Sequence, residues 1–377
     1  MALLIATGVT DWISDEEIRN DVQAVAPDAD IRIAADPGNP DDITMMAVVR
    51  LSTSLAGRLK NLQLVQKLGA GVETLVDHPA LGPHVRVARL KPDAPAHEIA
   101  EYCLAYILWR QRNMARHAQA QARRDWHAIA PRQADQTTVG VLGLGHIGGQ
   151  VARSLRDARF RVLGWSRTPR RIDGVECLSG AQALPAMLGR CDHVAAILPS
   201  TQDTRGLLDA GLLARMKPGA MLINAGRGDL IDEAALIACL DDGPLAHAVL
   251  DVVRREPLPP DDPLWAHPGV TITPHVSGWH LGDAMRDVAE NYRRLGAGPA
   301  LGGWDDEEEF AATLGRPDLM APLLSLASLS PCFFWAGTMA ATLPPPEDPS
   351  NNRTEGTRNS IDRRSRYILL APMAPSA

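Results

Sequence analysis

The chain has 377 residues, 45% hydrophobic and 22% charged, an ordinary globular composition with length enough for two domains. Its net charge of −7 argues against nucleic acid as a partner, because such binders carry a basic face. The five cysteines (Cys103, Cys177, Cys191, Cys239, Cys332) are scattered and form no C-x-x-C, so neither a disulfide framework nor a metal site is expected, and a reduced cytoplasmic setting is.

The opening MALLIATGVTDW lacks a basic start and soon turns polar, which suits a first buried strand better than a signal peptide. Five apolar runs follow one another to residue 90: LLIATGV, DIRIAA, TMMAVV, LQLVQKLG and VRVARL. DEEIRNDVQAVAP and LAGRLKN lie between them with helical character. This alternation predicts a parallel sheet with helices on its faces. KPDAP (91–95) breaks it, and one long helix is expected over 97–126. Ile99, Tyr102, Cys103, Tyr106, Ile107, Trp109 and Met114 recur there at helical spacing, which fits a subunit interface or a core helix equally well.

A second alternating block runs from residue 137 to 275, with strands expected at TVGVLGL, FRVLGW, HVAAIL, AMLINA, AVLDV and VTITP. Helices are expected at GGQVARSLRDA and DEAALIACLDDG. This is the layout of a doubly wound dinucleotide-binding domain. After residue 302 the composition changes to an acidic run and then a stretch poor in apolar residues, which predicts disorder. Within it, residues 319–343 carry no charge, but two prolines and many Ser/Thr argue against a membrane span.

Gly143-x-Gly145-x-x-Gly148 stands between an expected strand and an expected helix, the context that gives this spacing meaning. The first glycine permits a tight turn, the second lets backbone approach a pyrophosphate, and the third lets helix and strand pack closely. The helix start at His146 and Ile147 then offers N–H groups to phosphate oxygens. The tip of the next strand is GWSRTPRR. An NAD protein usually carries an acid there for the ribose hydroxyls; here stand Ser166, Arg167 and Thr168. A guanidinium can grip a 2′-phosphate that a carboxylate would repel, so NADP is favoured over NAD, unless the loop is only solvated charge.

Three further stretches fall in loops after expected strands: NAGRGD with Arg227, LDVVRREP with Asp251 and Glu256, and TPHVSG with His275. These residue types suit carbonyl reduction. Arginine grips the carboxylate of a 2-oxo acid, histidine protonates its carbonyl oxygen, and a carboxylate beside the histidine stabilises the imidazolium.

The runs KLGAGVE (67–73), VGVLGLGHIG (139–148), GWSR (164–167), LPSTQDTRGLL (198–208), INAGRG (223–228), LDVVRREPLP (250–259) and PLWAHPGVTITPH (263–275) resemble the D-isomer-specific 2-hydroxyacid dehydrogenase family, and within it the glyoxylate/hydroxypyruvate reductase A group. The resemblance covers residues 1–300. It implies Arg227, Glu256 and His275 as catalytic residues. It also implies that Gly69, Ala70 and Gly71 bind the substrate carboxylate beside Arg227 and His275, and that Asp251 holds the nicotinamide carboxamide. Pro199, Thr204, Ala225 and Gly226 line the cofactor site in the same way.

The implied fold is α/β, with a Rossmann cofactor domain (93–282) inserted into a flavodoxin-like substrate domain (1–92), a return helix in 283–302, and a tail (303–377) that is disordered or non-native. The expected function is an NADPH-preferring reductase of glyoxylate and hydroxypyruvate, acting as a cytoplasmic homodimer. Two alternatives stay open. One is a nucleotide-sensing binding protein without turnover; the other is a dehydrogenase of the same fold for another acid or anion.

Overall fold

The first five apolar runs form five parallel strands, the central ones buried on both faces and the two edge strands half-buried. In this computed structural model, which describes residues 1–9, 12–75, 78–90 and 93–297, they are β1 (Ala2–Ile5), β2 (Ile31–Ile33), β3 (Ile43–Val48), β4 (Leu64–Lys67) and β5 (Arg86–Ala88). The sheet order is β2-β1-β3-β4-β5. Strand alternation sends Leu3, Ile5, Met45, Ala47 and Leu64 to one face and Leu4, Met46, Val48 and Val65 to the other. Helix α1 (Asp15–Val25) covers the first face with Ile18 and Val22; it starts in a capping box, Ser14 with Glu17. The expected helix over LAGRLKN is a four-residue α2 (Thr53–Ala56), set earlier by the Ser52 cap and stopped at Gly57.

The stretch expected as one helix is two, α3 (Asp93–Gln111) and α4 (Met114–Ala122). Asn113 separates them at φ 55°, a left-handed conformation that asparagine tolerates better than most residues. α3 buries Ile99, Ala100, Cys103 and Ile107 against α5 (His146–Asp157), so these positions are core. Leu108, Met114 and Trp126 remain exposed.

The second sheet holds β6 (Thr138–Leu142), β7 (Arg161–Ser166), β8 (Glu176–Ser179), β9 (His193–Ala196), β10 (Ala220–Asn224), β11 (Leu245–Leu250) and β12 (Val270–Ile272). All are parallel, in the order β12-β11-β10-β9-β6-β7-β8. α3 and α5 cover one face; α6 (Ala183–Leu188), α7 (Ala210–Leu213) and α8 (Glu233–Asp241) belong to the other. β8, α6 and α7 were not foreseen: each is short, and β8 is a half-buried edge strand without an apolar run.

The chain then returns. α9 (Met285–Gly296) packs Met285, Val288, Ala289, Tyr292 and Leu295 on the first sheet beside α1, and Asn291 Nδ2 donates to Gln66 Oε1 at 2.7 Å. Residues 303–377, with their uncharged run and Cys332, lie outside the described residues. Among the described residues no helix is long and apolar enough to cross a membrane.

Candidate active site

Parallel strands all end on the same edge, and the expected site residues gather at the carboxyl edges of both sheets. β6 ends in the glycine loop. Gly143 takes φ +97°, and a Cβ on it would meet Ile197 O at 2.6 Å. A Cβ on Gly148 would sit 1.8 Å from Gly143 O, so that glycine lets α5 start directly against the strand. Gly145 is different: nothing lies within 4 Å of its added Cβ. The loop is thus tight beneath and open above, at the N-terminus of a twelve-residue helix, and this fits the pyrophosphate of a dinucleotide. His146 and Ile147 form the first turn, with His146 Nε2 3.4 Å from Asp93 Oδ1.

β7 delivers Ser166, Arg167 and Thr168 beside this loop. Ser166 is buried and its Oγ donates to Thr168 O at 2.8 Å, which fixes the turn. Arg167 is half-exposed and pairs with Asp203 Oδ2 at 3.2 Å, a carboxylate from the loop after β9. Arg170 and Arg171 are exposed, the latter 4.0 Å from Asp173. Thr204 serves its own loop: its hydroxyl donates to Pro199 O at 2.6 Å and accepts from Thr201 N at 2.8 Å. Ala225 and Gly226 are buried, and a Cβ on Gly226 would meet Leu198 O at 2.7 Å.

Arg227 follows β10. The fully buried Asn224 shapes its turn, accepting from Gly226 N at 3.2 Å and donating to Arg227 O at 2.8 Å. A Cβ on Gly228 would overlap the Val253 carbonyl, so this glycine lets the Arg227 loop lie against the loop that carries Glu256. Asp251, 2% exposed, turns its carboxylate into the next loop: Oδ1 accepts from Thr273 Oγ1 (2.6 Å) and Val276 N (2.8 Å), and Oδ2 accepts from Ser277 N (2.9 Å). Its carbonyl accepts from His275 N at 2.8 Å. Asp251 therefore anchors the turn on which His275 sits.

His275 adopts φ +58°, strained for a residue with a Cβ and held there by that network. Its Nδ1 lies 2.8 Å from Glu256 Oε2, which leaves Nε2 on the opposite side of the ring. Burial pushes the Glu256 carboxyl up, but the His275 hydrogen bond and charge, the Val253 N–H and the Arg227 charge outweigh it and hold it below its ordinary value. An ionised Glu256 fixes the Nδ1–H form of the imidazole.

Gly69, Ala70 and Gly71 follow β4. Gly71 approaches Arg227 so closely that a Cβ on it would lie 1.6 Å from Arg227 Nη2. Two residues in this run were not singled out from sequence. Glu73 Oε1 is 3.3 Å from Arg227 Nε and accepts from Ser200 N at 3.4 Å, so it joins the two sheets' loops. Lys67 donates to Val49 O, and its pKa falls to about 8, first through burial and then through the charge of Arg227. A lysine at the carboxyl end of an apolar strand was the available signal for Lys67. Nothing in the spacing pairs residue 73 with residue 227.

Residues 104–277 match the family model described as D-isomer specific 2-hydroxyacid dehydrogenase, NAD binding domain. The glyoxylate/hydroxypyruvate reductase A of Serratia proteamaculans is 36% identical over 283 residues, 74% of this chain and 90% of that protein. A D-isomer specific 2-hydroxyacid dehydrogenase from Xanthobacter autotrophicus Py2, solved with NADPH and MES, superposes with a TM-score of 0.74 at 38% identity, covering 79% of this chain and 95% of its own. The NADPH-dependent glyoxylate/hydroxypyruvate reductase of Sinorhizobium meliloti, solved with NADP and sulfate, gives 0.70 at 31% identity, covering 79% and 94%. With a glycine cradle, an Arg–Glu–His cluster and relatives matched over nearly their whole length, this chain belongs to the D-isomer-specific 2-hydroxyacid dehydrogenase family.

Proposed function

We propose that this chain is an NADPH-preferring reductase of small 2-oxo acids, with glyoxylate and hydroxypyruvate as its substrates. The observation that carries this is the 2.8 Å His275–Glu256 pair in the same cleft as Arg227, next to an open glycine cradle. Bound in that cradle, NADPH supplies the hydride for the carbonyl carbon. The N–H groups of residues 69–71 and the Arg227 guanidinium hold the substrate carboxylate and orient the carbonyl. His275 Nε2 delivers a proton to the carbonyl oxygen, and ionised Glu256 stabilises the imidazolium that precedes this transfer. Glu73 ties the loops of the two sheets together beside Arg227.

Arg167 supports the choice of NADPH, as do two relatives solved with NADPH or NADP. Asp203 is its counterweight, since a bound 2′-phosphate must compete with that carboxylate for the guanidinium. A homodimer is part of this reading, supported by the exposed Leu108, Met114 and Trp126 in and after α3 and α4; so is a cytoplasmic location, supported by the scattered cysteines. The deciding experiment is glyoxylate-dependent oxidation of NADPH and NADH in parallel, with wild type and Arg167→Asp. The expected result is faster turnover with NADPH and a shift toward NADH in the variant. No oxidation of either cofactor would refute the activity, and equal rates would refute the preference.

A further inference from the structure

Lys67 stands at the carboxyl end of β4, just before the Gly69–Gly71 loop. Its side chain folds over the strand end: Nζ donates to Val49 O, and a Cβ on Gly69 would lie 4.0 Å from its Cε. The ammonium therefore lies between the loop after β3, which carries Val49 and Arg50, and the loop expected to receive the substrate carboxylate. Across the cleft, Arg227 is already engaged. Its Nε faces Glu73 at 3.3 Å and its Nη1 donates to Gly226 O at 2.7 Å. A guanidinium neutralised by a neighbouring carboxylate attracts a monoanion weakly. Lys67 is not ion-paired: among the described residues no carboxylate lies within ion-pair distance of it, Glu73 acts on it only at longer range, and its hydrogen-bond acceptor is a neutral carbonyl. An ammonium has three donors, and the Val49 carbonyl takes one.

We propose that Lys67 is the second cation of the substrate site, binding the carboxylate of the 2-oxo acid together with Arg227 and setting the preference for anionic over neutral carbonyl substrates. The inference rests on the reductase reading above. Burial and three charges govern its behaviour. Burial and Arg227 lower the Lys67 pKa to about 8, Glu73 pulls it upward, and Arg50 at the adjoining loop lowers it further. The ammonium is therefore charged at neutral pH and is lost as the pH rises past about 8. A substrate carboxylate stabilises it when bound, so binding and protonation reinforce each other.

The test is steady-state kinetics on the full chain with glyoxylate and NADPH, plus inhibition by oxamate as a non-reacting 2-oxo acid analogue. Lys67→Met keeps the stem and removes the charge. It is expected to raise KM and the oxamate inhibition constant by about tenfold or more, with kcat changed by no more than about twofold, and Lys67→Arg should stay near wild type. Between pH 7 and 9 oxamate inhibition should weaken more in wild type than in Lys67→Met. NADPH binding by fluorescence shows that a variant is folded; if Lys67→Met does not fold, Lys67→Gln takes its place in the same kinetic and pH comparison with wild type. An unchanged KM in folded Lys67→Met, or oxamate inhibition in wild type that does not weaken toward pH 9, overturns the proposal while leaving the reductase reading intact. Wild type that does not turn over glyoxylate at all removes both.

Discussion

His275 holds a left-handed backbone that a β-carbon disfavours, and it does so because Asp251 binds the turn from three sides. The ring is thereby aimed at Glu256, and in the proposed reaction this lowers the reorganisation needed at the proton-transfer step. His275→Ala removes the proposed proton donor without touching the glycine cradle. Turnover with glyoxylate is expected to fall by about a thousandfold while NADPH affinity, read by fluorescence titration, stays within about twofold. Lost NADPH binding would contradict the role assigned to this residue. That Arg227, Glu256 and His275 stand at strand ends was legible in the sequence, because each lies in a short, chemically pointed stretch after a strand. Glu73 was not: it meets Arg227 through an ion pair across 154 positions of chain, and no local pattern encodes such a meeting. Nor was the support that Asp251 gives the His275 turn, a geometry set by where β11 and β12 end side by side.

At the scale of elements, the twofold and helical periods of the chain carried most of the fold. Strands buried on both faces are nearly continuous apolar runs, so β1, β3, β6, β10 and β11 are conspicuous. β8 is not, because an edge strand with half-buried Cys177, Leu178 and Ser179 needs no such run. The α3–α4 break shows the limit of periodicity: Asn113 alone turns the chain, and nothing in the spacing of apolar residues marks it. The same periodicity could not separate core from interface. The structure assigns Ile99, Cys103 and Ile107 to the core and leaves Leu108, Met114 and Trp126 outside. If that outer surface joins two copies, Met114→Arg, burying an unpaired charge, should shift the light-scattering mass from twice the chain toward one. A wild-type mass of a single chain would end the dimer reading.

At the scale of the whole molecule, burial sets how the protein meets acid. His193 opens β9 in the middle of the second sheet, 6% exposed, with Nδ1 lacking a hydrogen-bond partner among the described residues. Burial holds its pKa down to about 4, and burial lowers that of His247 as well. Below pH 6.5 the unfolded chain takes up a proton at His193 that the folded chain refuses. Folding stability is thus fully retained above about 6.5 and lost progressively toward about 4, by on the order of 3 kcal/mol for His193 alone. Thermal unfolding should show a falling midpoint across this window and a flatter profile in His193→Asn; identical profiles would exclude the residue as a cause. The sequence by itself determined the two parallel sheets, the glycine cradle and the three residue types proposed for catalysis, because these depend on local periods, turn chemistry and side-chain chemistry. Only the tertiary structure decided that Glu73 pairs with Arg227, that Lys67 lies against the Gly69–Gly71 loop, and that Asp251 braces the His275 turn. Those facts depend on which strand ends lie beside one another, and on how closely loops from two separate sheets approach, distances that no stretch of sequence contains.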